Sequence, residues 1–263
     1  MISRPSTRSL AVLALLGTAA ATLIVTLQPA GAALQAGRTF ARNVLVGADN
    51  DNAANTFIQP ANVTAKQHLD NTDVLVGGVR GDLLIGMKGG DVIEGGLSSD
   101  ILVGGVEKGL APNSDVLSSG HGNDVNIWAP GDGSDFYLGG SGYDTHISAP
   151  LVLDGEQVAL FRAYGRDVPH VSIDSKPQFT CTVERVPREL GLGFGYITRF
   201  FANGNLAVTI RLQDVEQVLC PSPNAGKVQV ARLVGANPAF VERSLSDFSG
   251  SLLGAILQAP AVR

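Results

Sequence analysis

Two cysteines, two methionines and one tryptophan are all that this 263-residue chain holds of those residues, and 16% of it is charged. Two thiols exclude a cysteine-dense disulfide scaffold and a four-cysteine zinc site. Cys181 and Cys220 fit one disulfide in an oxidising compartment; the other reading is a pair of separate buried thiols. Bases are scarce as well, 19 Lys and Arg against 24 Asp and Glu for a net charge of −5. That balance argues against nucleic acid or an anionic membrane as partner and suits divalent cations. The four histidines, His68, His121, His146 and His170, are scattered, and no pair has metal-ligand spacing. Neither H-E-x-x-H nor G-x-S-x-G occurs, which removes the zinc-protease and nucleophile-elbow chemistries. Neither Asp154-Gly155-Glu156 nor Asp174 has an identifiable catalytic partner. The chain therefore reads as non-enzymatic. A hydrolase whose carboxylate pair is assembled by the fold within residues 149–235 is the open alternative.

Long apolar runs are also missing, with one exception. Leu10 to Leu27 is uncharged and rich in Leu, Ala and Val, follows Arg4 and Arg8, and leads to Ala30-Gly31-Ala32. Residues 1–32 read as a secretory signal peptide with a small-x-small cleavage site. The rival is an uncleaved anchor, because the run approaches the ~20 residues that span a bilayer. Cleavage removes two arginines and no acid, moving the net charge to 17 − 24 = −7. The expected location is extracellular.

Glycine and aspartate are abundant, and they are ordered. Asp73, Asp82, Asp91, Asp100, Asp115, Asp124, Asp135 and Asp144 are spaced 9, 9, 9, 15, 9, 11 and 9 residues apart. The stretch from Asp73 to Ile147 holds 18 of the 32 glycines and 11 acids against three bases, Arg80, Lys88 and Lys108. Between the glycines lie mostly apolar triplets, Val74-Leu75-Val76, Leu83-Leu84-Ile85, Val92-Ile93-Glu94 and Ile101-Leu102-Val103. Each is too short for a helix and is bounded by glycine, so each predicts a short strand.

Gly139-Gly140-Ser141-Gly142-Tyr143-Asp144-Thr145-His146-Ile147 fits G-G-x-G-x-D-x-U-x, except that His146 fills the large apolar slot. The pattern resembles the RTX, or haemolysin-type, calcium-binding nonapeptide. The resemblance covers roughly residues 70–147 and implies a parallel β-roll with two short strands per coil. It also implies Ca2+ held between successive coils by repeat aspartates and turn carbonyls. The best matches are Gly120-His121-Gly122-Asn123-Asp124, Gly131-Asp132-Gly133-Ser134-Asp135 and the 139–144 segment, so Gly120, Gly122, Gly131, Gly133, Gly139, Gly140 and Gly142 join the aspartates as implied metal-site residues. Departures reduce the expected number of ions to a few. The glycine two before the aspartate is displaced at Arg80-Gly81 and replaced by Ser98, extra residues follow Gly104-Gly105, and Asp73 has no glycine turn ahead of it. Arg80 would place a competing cation beside the Asp82 turn.

The spacing carries a physical argument of its own. In such a roll, residues 18 apart stack on one edge, pairing Asp73 with Asp91 and Asp82 with Asp100. Past the insertions, Asp115 pairs with Asp135 and Asp124 with Asp144. Adjacent strands lie ~4.8 Å apart, where like charges repel by about 1 kcal/mol even at the dielectric of water. A cation between them relieves this, and calcium's tolerance for 6–8 oxygens suits the gap better than magnesium's tight octahedron. The competing reading makes the aspartates turn formers in a metal-free solenoid.

The rest is plainer. Residues 33–72 form a lead-in or cap, with a loop at Asp49 to Asn55, a short strand at Thr56-Phe57-Ile58 and a glycosylation sequon at Asn62. Residues 149–235 predict a compact β-domain closed by the cysteine bridge, with a hairpin at Asn203-Gly204. Residues 236–263 form a tail in which Ser244 to Leu257 predicts a short amphipathic helix, with Ser244 as its cap. The expected fold is all-β: a parallel β-roll over residues 73–148 followed by a small disulfide-linked β-domain. The expected function is a secreted calcium-binding protein. An adhesion or matrix protein with a metal-independent solenoid and a cell-surface or carbohydrate partner is the alternative.

Overall fold

The computed structural model describes residues 73–105, 114–155 and 157–258, and the backbone of Val44–Val46. The signal segment 1–32, the loop at Asp49 to Asn55, the strand expected at Thr56-Phe57-Ile58 and the sequon at Asn62 lie outside the described residues. Val44–Val46 forms strand β1, which the sequence pattern did not indicate.

The glycine-bounded triplets become strands because β-branched and leucine side chains suit a pleated surface and glycine stops each run. They are β2 (Val74–Val76), β3 (Leu83–Met87), β4 (Val92–Leu97), β5 (Ile101–Gly105), β6 (Val116–His121), β7 (Val125–Trp128), β8 (Phe136–Ser141) and β9 (Thr145–Ser148). The even strands pair in parallel, with Val74 opposite Val92, Val92 opposite Val116 and Val116 opposite Phe136. The odd strands do likewise, Leu83 opposite Ile101, Ile101 opposite Val125 and Val125 opposite Thr145, with β1 beside β3. The chain thus winds as a parallel β-roll between two facing sheets, and the insertions in the beat leave the register intact.

The third residue of each unit, counted from its aspartate, points between the sheets. Leu75, Leu84, Ile93, Leu102, Leu117 and Tyr137 are fully buried there, and so are Asn126 and His146. His146 occupies its apolar slot as a neutral ring. It lies 4.6 Å from the Tyr137 ring centre to centre, its Nε2 is 2.8 Å from Ser148 Oγ, and burial pushes its pKa down to about 3.

β4 and β6 alternate buried and half-exposed positions, whereas β3, β5, β7 and β9 are buried on both faces. The covering layer comes from residues 149–173 and the C-terminus. β10 (Leu153–Asp154) pairs with β11 (Gln157–Val158), and β12 (Leu160–Ala163) with β13 (Arg166–Pro169). Val158, Val168, Val171, Ile173, Ile256 and Leu257 pack with Ile85, Val103 and Ile127 in this second core.

The following strands extend both sheets. β14 (Phe179–Arg185), β15 (Tyr196–Ala202) and β16 (Asn205–Gln213) run antiparallel, and β16 then joins β8 in parallel with Leu212 opposite Tyr137. The hairpin at Asn203-Gly204 takes the positive φ values, 51° and 77°, that such a turn requires. β17 (Gln217–Pro221) joins β9 in parallel, with β18 (Lys227–Arg232) and β19 (Phe240–Ser244) beyond it. The Cys181–Cys220 disulfide, with Cα atoms 6.3 Å apart, ties β14 of one sheet to β17 of the other. In the tail, a 3-10 turn at Leu245–Phe248 precedes a short helix α1 (Leu252–Leu257). Ser251, not Ser244, caps α1 by accepting from the Gly254 N–H, because Gly250 at φ +79° breaks the helical path before it.

Candidate metal-binding edges

Each repeat aspartate opens a strand and turns its carboxyl inward, so the sequence beat becomes two buried rows. Asp73, Asp91, Asp115 and Asp135 line one edge of the roll; Asp82, Asp100, Asp124 and Asp144 line the other; none is more than 1% exposed. All eight are brought into the stacks that the spacing predicts.

One oxygen in six of the eight carboxyls has a role that the sequence reading did not foresee. Asp91 Oδ1 accepts the backbone N–H of Asp73 at 2.7 Å, and Asp115 and Asp135 repeat the contact with Asp91 and Asp115 at 2.7 and 2.9 Å. On the other edge Asp100, Asp124 and Asp144 accept from Asp82, Asp100 and Asp124 at 2.6, 2.7 and 2.9 Å. These are carboxyl-to-backbone bonds from coil to coil, and they tie each coil to the next in register. Glu216 carries the second row one step further, its Oε2 accepting the Asp144 N–H at 2.7 Å. Glu216-Gln217-Val218 repeats the acid-x-apolar order of the units, which is the signal for it in the sequence.

On the second row the other oxygen sets Asp82 apart from the acids that follow it. Asp82 Oδ2 accepts the Gly78 N–H at 2.6 Å. Asp100, Asp124 and Asp144 each keep a buried Oδ2 with no hydrogen-bond partner. A buried acceptor left unmade costs about 1–3 kcal/mol, so three in one row form a strong electronegative feature. Glycine makes the room: a Cβ at Gly95 would lie 2.7 Å from Asp100 Oδ2, and one at Gly139 2.7 Å from Asp144 Oδ2.

Burial dominates the electrostatics. It pushes Asp100 up to about 8, assisted by the charges of Asp124 and Asp82 and opposed by the Asp82 N–H and Arg166. Asp144 is raised to about 7 and Asp124 to about 6, again chiefly by desolvation. On the first row burial, followed by the Asp115 charge, holds Asp135 well above the carboxylate range. These acids favour the neutral form unless a cation replaces the proton.

The first row gains a member outside the beat. Asp132 lies in the loop before Asp135 and is 6% exposed. Carboxyl oxygens of Asp115, Asp132 and Asp135 lie within 4.8 Å of one another. Oxygens of this trio also serve the backbone and a phenol: Asp132 accepts from Gly105 N–H at 2.8 Å and Gly133 N–H at 3.1 Å, and Asp135 from Tyr137 OH at 3.0 Å.

The implied turn residues fall into place beside these rows. Gly120, Gly122, Gly131, Gly140 and Gly142 take positive φ. Gly142 also stacks so closely on the Gly122 carbonyl that no side chain fits. Gly133 gives its carbonyl to Trp128 Nε1 at 3.0 Å. Ser98, in the slot where the motif has glycine, still adopts φ 75° and anchors its hydroxyl on the Val79 carbonyl at 3.1 Å. At the Asp82 turn Arg80 is exposed, and the guanidinium buried there is that of Arg166.

The donor set is all oxygen, the chemistry of hard divalent cations. Among the described residues no helix is long and apolar enough to cross a membrane. Comparison of the chain with protein-family models, with curated proteins and with solved structures returned no match.

Proposed function

We propose that this chain is a secreted, non-enzymatic calcium-binding protein of the RTX type, with Ca2+ held along the Asp100–Asp124–Asp144 row. The observation that carries the reading is the set of three buried, unpartnered Oδ2 atoms in register on adjacent coils. An ion bound there would satisfy them together and offset the burial that favours protonation, along with the repulsion that adds to it at Asp100 and Asp144. Asp115, Asp132 and Asp135 offer a second place for an ion. The disulfide suits an oxidising compartment, in keeping with the signal sequence. The non-enzymatic reading draws on the histidines: His146 is neutral and enclosed, His121 is exposed at the end of β6 beside Ser141, and His170 is 2.9 Å from the Ile256 carbonyl.

The test is a calcium titration of residues 33–263, read by calorimetry and far-UV circular dichroism, with chelator and magnesium controls. Binding of Ca2+ in preference to Mg2+, with a rise in melting temperature that disappears when Asp124→Ala and Asp144→Ala are combined, is the expected result. A spectrum and melting curve indifferent to calcium would leave a metal-free solenoid and sink the reading.

A further inference from the structure

The Asp82–Asp100 step differs from the two steps that follow it on the same row. Arg166, at the start of β13 and 6% exposed, reaches into it from the covering layer. Its Nη1 donates to the Ser99 carbonyl at 2.8 Å and its Nη2 donates to the Asp82 carbonyl. A fixed positive charge therefore sits on main-chain oxygens beside two stacked acids, an arrangement of the kind a metal ion would otherwise supply. The local sequence makes space for it: a Cβ on Gly81 would lie 2.7 Å from Arg166 Nη1 and 2.6 Å from the Ser99 oxygen. Gly81 is the displaced glycine of the Arg80-Gly81 turn, so the departure from the repeat pattern coincides with the entry of the guanidinium. Asp82 Oδ2 is already held by Gly78, unlike the Oδ2 atoms of Asp100, Asp124 and Asp144.

The other row carries the same device. Arg211 of β16 donates to the carbonyl of Ser134, the residue immediately before Asp135, as Ser99 immediately precedes Asp100. Each row thus receives one arginine from the segment that follows the repeats.

We propose that Arg166 is a tethered cation that closes the Asp82–Asp100 turn in place of a metal ion, leaving Asp100–Asp124 and Asp124–Asp144 as the metal-dependent steps. The division of steps rests on the calcium reading above; the tethering does not. N-terminal coils would then stand before metal arrives and serve as a template for the later ones.

Hydrogen exchange on the mature chain, with calcium chloride or with chelator, separates the two ideas. In the native chain, amides at residues 78–100 should be equally protected in both conditions, while those at 120–144 lose protection in chelator. Arg166→Gln should speed exchange at 78–100 by about tenfold or more in chelator, with calcium restoring it. Arg166→Lys, which keeps the charge, should lose less, and it serves as the reading if the glutamine variant does not fold. Unchanged exchange at 78–100 in Arg166→Gln under chelator would overturn the proposal, as would calcium dependence at 78–100 matching that at 120–144 in the native chain. If the native chain takes up no calcium, the calcium reading falls, and the chelator comparison of native and variant chains still decides the tethered cation.

Discussion

At an aspartate of the second row the two carboxyl oxygens have separate tasks. Oδ1 of Asp100 holds the Asp82 N–H of the coil before it, whereas Oδ2 has no hydrogen-bond partner and is the atom proposed to meet a cation. An Asp→Asn change therefore does two different things, weakening a coil-to-coil bond and removing the carboxylate charge offered to a cation, and a glycine change separates them. A Cβ at Gly95 would meet the Ser119 carbonyl at 2.5 Å and Asp100 Oδ2 at 2.7 Å, so Gly95→Ala forces both to move. Overpacking of this kind costs typically about 1–3 kcal/mol. Gly193, with nothing within 4 Å of its Cβ position, is the control, expected to change stability by no more than about 0.5 kcal/mol on substitution by Ala. Urea denaturation in chelator compares the two, and equal midpoints would show that the Gly95 space is not needed. At this scale the sequence exposed most of the candidate site, because a nine-residue beat marks its own aspartates. Asp132 escaped because it lies off the beat, and Arg166 because a residue 84 positions from Asp82 leaves no local pattern.

At the scale of elements, what was legible depended on how local the pairing is. The Asn203-Gly204 hairpin and the triplet strands follow from adjacent residues, whereas the parallel docking of β16 on β8 joins Leu212 to Tyr137, and that of β17 on β9 joins Gln217 to Thr145, each pair more than seventy positions apart. One signal for the covered outer face was present in β3 and β5: Leu83-Leu84-Ile85 and Ile101-Leu102-Val103 are apolar throughout, as suits strands buried on both faces, while β4 and β6 carry Glu94 and Ser118; β7 and β9, equally buried but carrying Asn126 and His146, hid it. The docked strands end the roll, and the disulfide holds them across the two sheets with its cysteines 39 positions apart. In the chain-entropy argument a loop of that size is worth about 4 kcal/mol. Cys181→Ser combined with Cys220→Ala, the alanine suiting the fully buried Cys220, should lower the unfolding free energy by roughly 2–4 kcal/mol in guanidinium titrations. A change below about 0.5 kcal/mol would mean that sheet pairing alone holds this end closed.

For the whole molecule, the buried acid rows set a dependence on pH opposite to that of a protein held by surface ion pairs. Unfolded aspartates release their protons near pH 3.9, but in the folded chain Asp124, Asp144 and Asp100 keep theirs up to about 6, 7 and 8. Between those limits the folded state holds protons that the unfolded state has lost, so stability falls as pH rises through the window. His146 works the other way: neutral when folded down to about 3, it costs stability once the unfolded ring charges below its usual 6.5, and His170 is shifted in the same direction. Above pH 6.5 the histidines are neutral in both states, and among these shifted groups only the carboxyls remain active. In chelator, the melting temperature should therefore decline from pH 6.5 to 8.5. Saturating calcium should flatten that slope, because the ion replaces the protons, releasing roughly one to two of them per chain at pH 7. Calorimetric titrations in two buffers of different ionisation enthalpy measure that release. A melting temperature level across the window in chelator, with no protons released on adding calcium, would show the rows to be ionised already and would remove the electrostatic reason for the metal.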